Sequence, residues 1–494
     1  MDRIALLAGG GRLPLLIADG VIKRGGRVHI VGIEGEAGAD IARFPHTWVN
    51  WGQVGRMISV LRAEADAMVI AGSVRRPDLW KLRPDWSFFL SLPQILGMMA
   101  GGDDSVLSRV VRFFEAKGIK VRGAHEVAPD LLVLDGPAGA LSLDSQARVD
   151  AQLGFAVRAA LGPLDAGQAV VVADGRVLAI EGAEGTDAML TRVAASRTGA
   201  AVASRSGVLA KGPKPGQELR VDMPAVGPRT IENVAAAGLA GLAVEAGAVL
   251  MLDRGEAVDV ADSIGIAVEG LAGGLHRSAN EAAPVAPSTT ASPSPLWGGV
   301  RCGGNPDIGG SAIPPTLSLP HVAPKARLRR DGGGDAGPLG RLHSTNVNRS
   351  QSSPEIRVVG SVRPDPRALA DMEKGVAAVV LLAPFDAGKA VVVARAYVLA
   401  IAAAEPALAL LERVRALRQW GVGARRRIGV LVCQAGADGT RTAASLEKLL
   451  KAAAAAGLAG IAITGPSAQL AAFDRAGAVA DGLGLFLVMR ETQP

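Results

Sequence analysis

The sequence predicts an α/β protein in four parts: an N-terminal parallel-sheet domain of Rossmann-like pattern, a mixed α/β domain, a disordered linker, and a degenerate second copy of the mixed domain. Three observations predict it. Short apolar strands alternate with helical stretches from the first residues onward, the pattern of βαβ units and a parallel sheet. Ala and Gly dominate while aromatics make up only 3% of 494 residues, which favours close-packed helix–sheet layers. And the C-terminal stretch repeats an internal one. The expected boundaries are 1–135, 136–275, 276–354 and 355–494.

In the first part, RIALLA reads as a buried strand, GGGRLP as a turn, LLIADGVIKRGG as a helix and RVHIVGIEG as the next strand. ADAMVIAG is a further strand, and GIKVRGAHEV reads as the last one. In the second part, DSQARVDAQLGFAVRAALG is a helix and QAVVVADGRVLAIEG a hairpin turning at Asp174-Gly175, a strong hairpin signal. TDAMLTRVAAS and TIENVAAAGLAG read as helices, LAVEAGAVLMLD and SIGIAVEG as strands. Residues 276–354 are rich in Pro, Gly and Ser without periodicity, too poor in apolar surface to offset chain entropy.

The last part is the copy. DAGQAVVVADGRVLAI (165–180) matches DAGKAVVVARAYVLAI (386–401), and AAAGLAGLAV (235–244) matches AAAGLAGIAI (454–463), at offsets of 221 and 219. Asp150 and Gly154 pair with Asp371 and Gly375. EGAEGTD (181–187) has become AAAEPAL (402–408): the packing pattern persists while the polar loops are lost.

Net charge is +6 with a pI near 9.6, suited to an anionic ligand or an acidic membrane surface, and no nucleic-acid motif accompanies it. Cys302 and Cys433 match no metal or redox spacing. The chain enters a strand at once, with no signal-peptide pattern, and no apolar run reaches the roughly 20 residues of a membrane span. A cytoplasmic protein is expected.

Several motifs carry chemistry. Gly10 and Gly11 in GGGRLP precede a helix, where backbone N–H groups can meet a phosphate; a turn needed only for packing explains them as well. Arg75 and Arg76 leave a strand at the ligand-binding edge of the sheet, as phosphate grips or as solvated cations. Asp103 or Asp104 caps a helix, leaving the other free for a ligand. His125 ends a predicted strand, as a structural or a ligand-facing group. WSFFLSLPQILGMMAG (86–101) is a core helix or a flexible apolar surface for acyl chains. Glu181, Glu184 and Asp187 cluster near the hairpin end, as dipole-complementing carboxylates or as hard ligands for Mg²⁺.

The most informative stretch is KGPKPGQELRVDMPAVGPRT (211–230). Its prolines and glycines exclude a regular helix and argue for a shaped loop. Lys211, Lys214 and Arg220 can neutralise a diphosphate, and Asp222 can hold Mg²⁺ or orient a water; a salt-bridged loop is the plain alternative.

AGGGRLP, AGSVRRPDLWKLRPD, GDD followed by GAHEV-x-PDLL, LDAGQAVVV, EGTDAML and the 211–230 segment, in that order, resemble the LpxI-type UDP-2,3-diacylglucosamine pyrophosphatases of lipid A synthesis. The resemblance spans residues 1–270; the tail resembles only the C-terminal half. It implies a two-domain enzyme, residues 136–275 forming the catalytic domain, with substrate between the domains. Such an enzyme cleaves a UDP-diacylated glucosamine glycolipid with water to UMP and 2,3-diacylglucosamine 1-phosphate, with Mg²⁺ as cofactor. The essential aspartate falls on Asp222, as catalytic and metal residue. The expected substrate-binding set is Gly10, Gly11, Arg75, Arg76, Asp104, His125, Thr186, Asp187, Lys211, Lys214, Gln217 and Arg220. The expected setting is peripheral to the inner membrane, with a homo-oligomer allowed and no nucleic acid. The rival reading is a catalytically inactive nucleotide-sugar or lipid-binding protein. Retention of EGTD and Asp222 in the front half, against their loss in the tail, argues for a working front half.

Overall fold

The computed structural model describes residues 2–74, 82–98, 103–197, 205–272, 356–417, 427–437, 440, 442–466 and 476–491. The predicted linker, 276–354, lies outside the described residues.

The N-terminal sheet comprises β1 (Arg3–Ala8), β2 (Arg27–Ile33), β3 (His46–Val49) and β4 (Ala67–Ala71), all parallel, in the order β3-β2-β1-β4. The order reverses at β1, so the crevice for a ligand opens at the carboxyl ends of β1 and β4. Helix α1 (Leu13–Lys23) covers one face through Leu15, Ile17, Ala18 and Val21. Helices α2 (Val54–Glu64) and α4 (Asp103–Ala116) cover the other through Met57, Ile58, Leu61, Val111 and Phe114. Between them in the chain runs α3 (Trp86–Met98).

GIKVRGAHEV is not a strand. Val121 alone bridges to Met68, and Ala124–Val127 form one helical turn, α5. The Glu126 carboxylate accepts from the Gly123 N–H at 2.8 Å, a local bond that competes with strand pairing.

The second domain is built on a six-stranded mixed sheet. β5 (Gly136–Pro137), β6 (Ala169–Ala173), β7 (Arg176–Ile180), β8 (Val208–Lys211), β10 (Gly241–Glu245) and β12 (Ala267–Leu271) take the order β5-β12-β10-β8-β6-β7. A separate short pair joins β9 (Ala225–Val226) and β11 (Leu250–Met251). Helices α6 (Ser145–Leu161), α7 (Gly185–Ser196), α8 (Pro228–Ala236) and α9 (Arg254–Ile264) pack around them. The sequence predicts strands at LAVEAGAVLMLD and SIGIAVEG, and the second contains most of β12. The first is broken by a turn after β10, and α9 precedes β12, ended by Gly265 in the left-handed region at φ 73°.

The tail reproduces this sheet strand for strand. β13 (Ile356–Val359), β14 (Ala390–Ala394), β15 (Tyr397–Ala402), β16 (Val430–Gln434), β17 (Gly460–Gly465) and β18 (Phe486–Glu491) take the order β13-β18-β17-β16-β14-β15. Its helices are α10 (Pro366–Leu382), α11 (Ala407–Leu417), α12 (Ala443–Ala455) and α13 (Gly477–Gly482). The paired positions explain what the copy kept. Buried Asp150 accepts from the N–H groups of Asp174 and Gly175 at 2.9 and 2.8 Å, pinning the hairpin turn. Asp371 does the same for Arg395 and Ala396 at 2.9 and 2.7 Å, and both residues stay left-handed although neither is Gly. A Cβ on Gly154 or Gly375 would come within 2.5 Å of the underlying strand, so both helices need that gap to sit on their sheets.

Candidate active site between the two front domains

The 211–230 segment crosses from the end of β8 to the N-terminal domain. Val221 packs on the apolar cluster shared by α2 and α4, and Met223 on the cluster under α1. Asp222 lies between these two anchors. A cavity of about 290 Å³ opens there, lined by Gly10, Gly11, Arg12, Ser73, Arg220 and Asp222 among others. Its position at the ends of β1 and β4 is where the reversal of strand order leaves a crevice.

The flanking apolar residues and one amide, more than the prolines, hold Asp222. Gln217 donates from Nε2 to Asp222 Oδ2 at 2.6 Å, while Gln217 Oε1 accepts from the Lys214 N–H at 2.8 Å. The prolines act one step away. Pro213 O accepts from the buried Arg158 guanidinium, Pro215 fills the space above Gly162, and Pro224 O accepts from Leu250 N at 2.9 Å. Arg158 itself sits 3.5 Å from Glu245, and burial pulls its pKa down. Nothing in the sequence singled it out, because a lone Arg on a helix reads as solvated.

Lys211, Lys214 and Arg220 are each engaged by the protein. Arg220 binds Glu218 at 2.8 Å and Glu115 at 2.8 Å, which holds its pKa above the usual value and that of Glu218 below it. Lys214 pairs with Asp165 at 2.7 Å. Lys211 is buried and donates to Thr186 Oγ1 at 3.1 Å, and that hydroxyl donates to Glu181 Oε1 at 2.9 Å. Burial pushes the Glu181 carboxyl up and the Lys211 ammonium down. Glu181 Oε2 has no partner among the described residues. Asp187 accepts from Asn233 at 3.0 Å and faces Arg229 at 3.2 Å.

Thus two groups form. Gly10, Gly11, Arg220 and Asp222 line the cavity, with His125 near Arg220 across Gly123. Thr186, Lys211 and Lys214 gather at the end of β8, joined to the first group through Gln217. His125 Nδ1 is buried without a partner among the described residues. Asp104 lies in the first turn of α4. Arg75 and Arg76 lie outside the described residues. No cluster of three or more His, Cys, Asp or Glu gathers for a metal among the described residues. At most, Asp222 offers one hard carboxylate beside a cavity, a donor set that fits Mg²⁺ shared with substrate phosphate oxygens.

The LpxI N-terminal domain model matches residues 3–131, and the LpxI C-terminal domain model matches twice, at 135–269 and 356–488. The chain belongs to the LpxI family. Within the LpxI family, the UDP-2,3-diacylglucosamine pyrophosphatase LpxI of Caulobacter vibrioides is 39% identical over 274 residues, 55% of this chain and 98% of that relative. The second match to the LpxI C-terminal model is the tail, where Ala402 and Ala407 stand at the places of Glu181 and Thr186.

Proposed function

We propose that the front half hydrolyses the pyrophosphate bond of UDP-2,3-diacylglucosamine, releasing UMP and 2,3-diacylglucosamine 1-phosphate for lipid A synthesis. The name of the Caulobacter relative supports the reaction, and the observation that carries it here is the placement of Asp222 with Gly10 and Gly11 on one cavity between two domains. Phosphoryl chemistry needs mainly positioning and charge stabilisation. Gln217 fixes one oxygen of Asp222, leaving the other to align water or a cation. Mg²⁺, when bound, would be held by Asp222 with substrate oxygens and would offset the diphosphate charge. The cations of the segment reach an incoming diphosphate by exchanging protein carboxylates for phosphate, so binding opens the pairs Arg220–Glu218 and Lys214–Asp165. Trp86, Phe89 and Leu90 of α3 are 77%, 53% and 68% exposed and suit the acyl chains or a membrane face, in keeping with a peripheral site at the inner leaflet. No helix among the described residues is long and apolar enough to cross a membrane.

The test is Asp222→Ala in the full chain, assayed for UMP release and for binding of the glycolipid. We expect retained folding and binding with turnover reduced about 10²–10⁴-fold. Near-normal turnover would reject the assignment. Binding without any UMP release by the unaltered chain, with Mg²⁺ present, would favour the inactive binding protein, a reading that the pre-paired cations also suit.

A further inference from the structure

The tail meets the front half through residues that are one another's counterparts. At the edge of β7, Ala183 N donates to Leu399 O at 3.0 Å, and Ala404 N donates to Leu178 O at 3.4 Å. Ala183 and Ala404 are equivalent at the repeat offset of 221, as are Leu178 and Leu399. The same reciprocity governs a partly buried ion network. Glu184 is contacted by Arg192 at 2.9 Å and Arg413 at 2.8 Å; Glu405 is contacted by Arg413 and by Arg192 at 3.7 Å. Glu184 and Glu405 are equivalents, and so are Arg192 and Arg413. One continuous apolar core joins the halves, with Val177 and Ile180 facing the side of Val398 and Ile401, again at that offset. Helices α6 and α10 pack together in it.

A contact in which residue i meets j and the equivalent of j meets the equivalent of i is isologous, the mark of a two-fold interface. Tethering alone does not produce it: a duplicate held only by a linker has no reason to choose its own equivalent surface in matched register. The contact also reaches the candidate site. Glu184 precedes α7, whose first turn carries Thr186, and the tail's Arg413 holds it. Lys374 of α10 donates to Ala396 O at 2.6 Å and feels the charges of Asp165 and Lys214. Conversely, Gly175 and Arg176 of the front hairpin wall a cavity of about 480 Å³ in the tail, beside Ala402 and Ala407.

We propose that residues 356–491 are a covalently tethered stand-in for a second copy of the front C-terminal domain, making the chain a single-chain pseudodimer with one site. The face formed by β7, α6, Glu184 and Arg192 recognises a second copy of itself, and the tail occupies it in cis. Arg413 is a positioning residue, taking the place of a partner's Arg192.

Residues 1–272 correspond to nearly the whole of the Caulobacter relative and contain four apolar clusters of their own, so they form a testable segment. Light scattering should give the full chain its single-chain mass of 50.3 kDa and the segment twice its own mass. Arg192→Glu in the segment should return it to monomer with unchanged circular dichroism. A folded segment that stays monomeric, a segment dimer indifferent to Arg192→Glu, or a full chain that dimerises at the same micromolar concentration would overturn the proposal. If the segment does not fold, Arg413→Glu in the full chain decides. Hydrogen exchange at Ala183 and Ala404 should accelerate together by about tenfold or more, as expected for about 1.4 kcal/mol of interface lost; unchanged protection there would overturn it.

Discussion

Replacing Thr186 by Val removes one hydroxyl and keeps the shape of the side chain. That hydroxyl bridges two buried charges: it accepts from Lys211 Nζ at 3.1 Å and donates to Glu181 Oε1 at 2.9 Å. Hydrogen bonds to charged groups contribute about 1.5–3 kcal/mol each, and the loss of two would approach twice that if neither charge found a substitute. Thr186 is only half-buried, however, and water at the start of α7 offsets part of the loss. The lower end, about 3 kcal/mol, is the expected destabilisation, a factor of roughly 10² in the unfolding equilibrium. Urea unfolding followed by circular dichroism measures it as a lower midpoint at unchanged slope. Thr186→Ser, which keeps the hydroxyl, should fall within about 1 kcal/mol of the native chain. A Thr186→Val chain within about 0.5 kcal/mol of native, the range of an inert surface change, would refute the bridge as a stabilising element.

Glu181, with its carboxyl pushed up by burial, binds its proton more tightly folded than unfolded; stability should therefore fall as pH rises above the ordinary value of 4.5, and Glu181→Gln should flatten that slope in denaturation measured from pH 4.5 upward. Cys433 is fully buried in the tail core with its thiol pushed up to about 12, so in a Cys302→Ser chain alkylation should follow tail unfolding, and fast labelling of the folded protein would count against the packing. Ala396→Gly should raise the unfolding free energy by about 1 kcal/mol, read as a higher urea midpoint, because Ala396 sits at φ 65° where a Cβ is disfavoured; an unchanged or lower midpoint would count against strain at that turn.

The parts that the sequence made legible are those ruled by short-range patterns. Strands β1, β2 and β4, the hairpin at Asp174-Gly175 and the repeat follow from short continuous apolar runs, a left-handed turn pair and a fixed offset in the sequence. Where a local bond outweighs the pattern, the structure departs from it: Glu126 capping Gly123 makes α5 of a predicted strand, and α9 is built from small residues that suit strand or helix. The loop around Asp222 stood out by its prolines, yet its anchoring did not, since Val221 and Met223 pack on clusters built from residues far away in the chain.

Sequence alone therefore determined the α/β class and the segment on which Asp222 lies, because each depends on residues within a turn or a strand of one another, and the duplication, because two stretches of one sequence can be matched without knowing where they fold. Only the tertiary structure decided that Lys211, Lys214 and Arg220 are already paired, that Asp222 faces a cavity walled by a different domain, and that the copy docks through its own equivalents. Those outcomes are set by which surfaces exclude water together and which charges must then find partners, and neither is local in the chain.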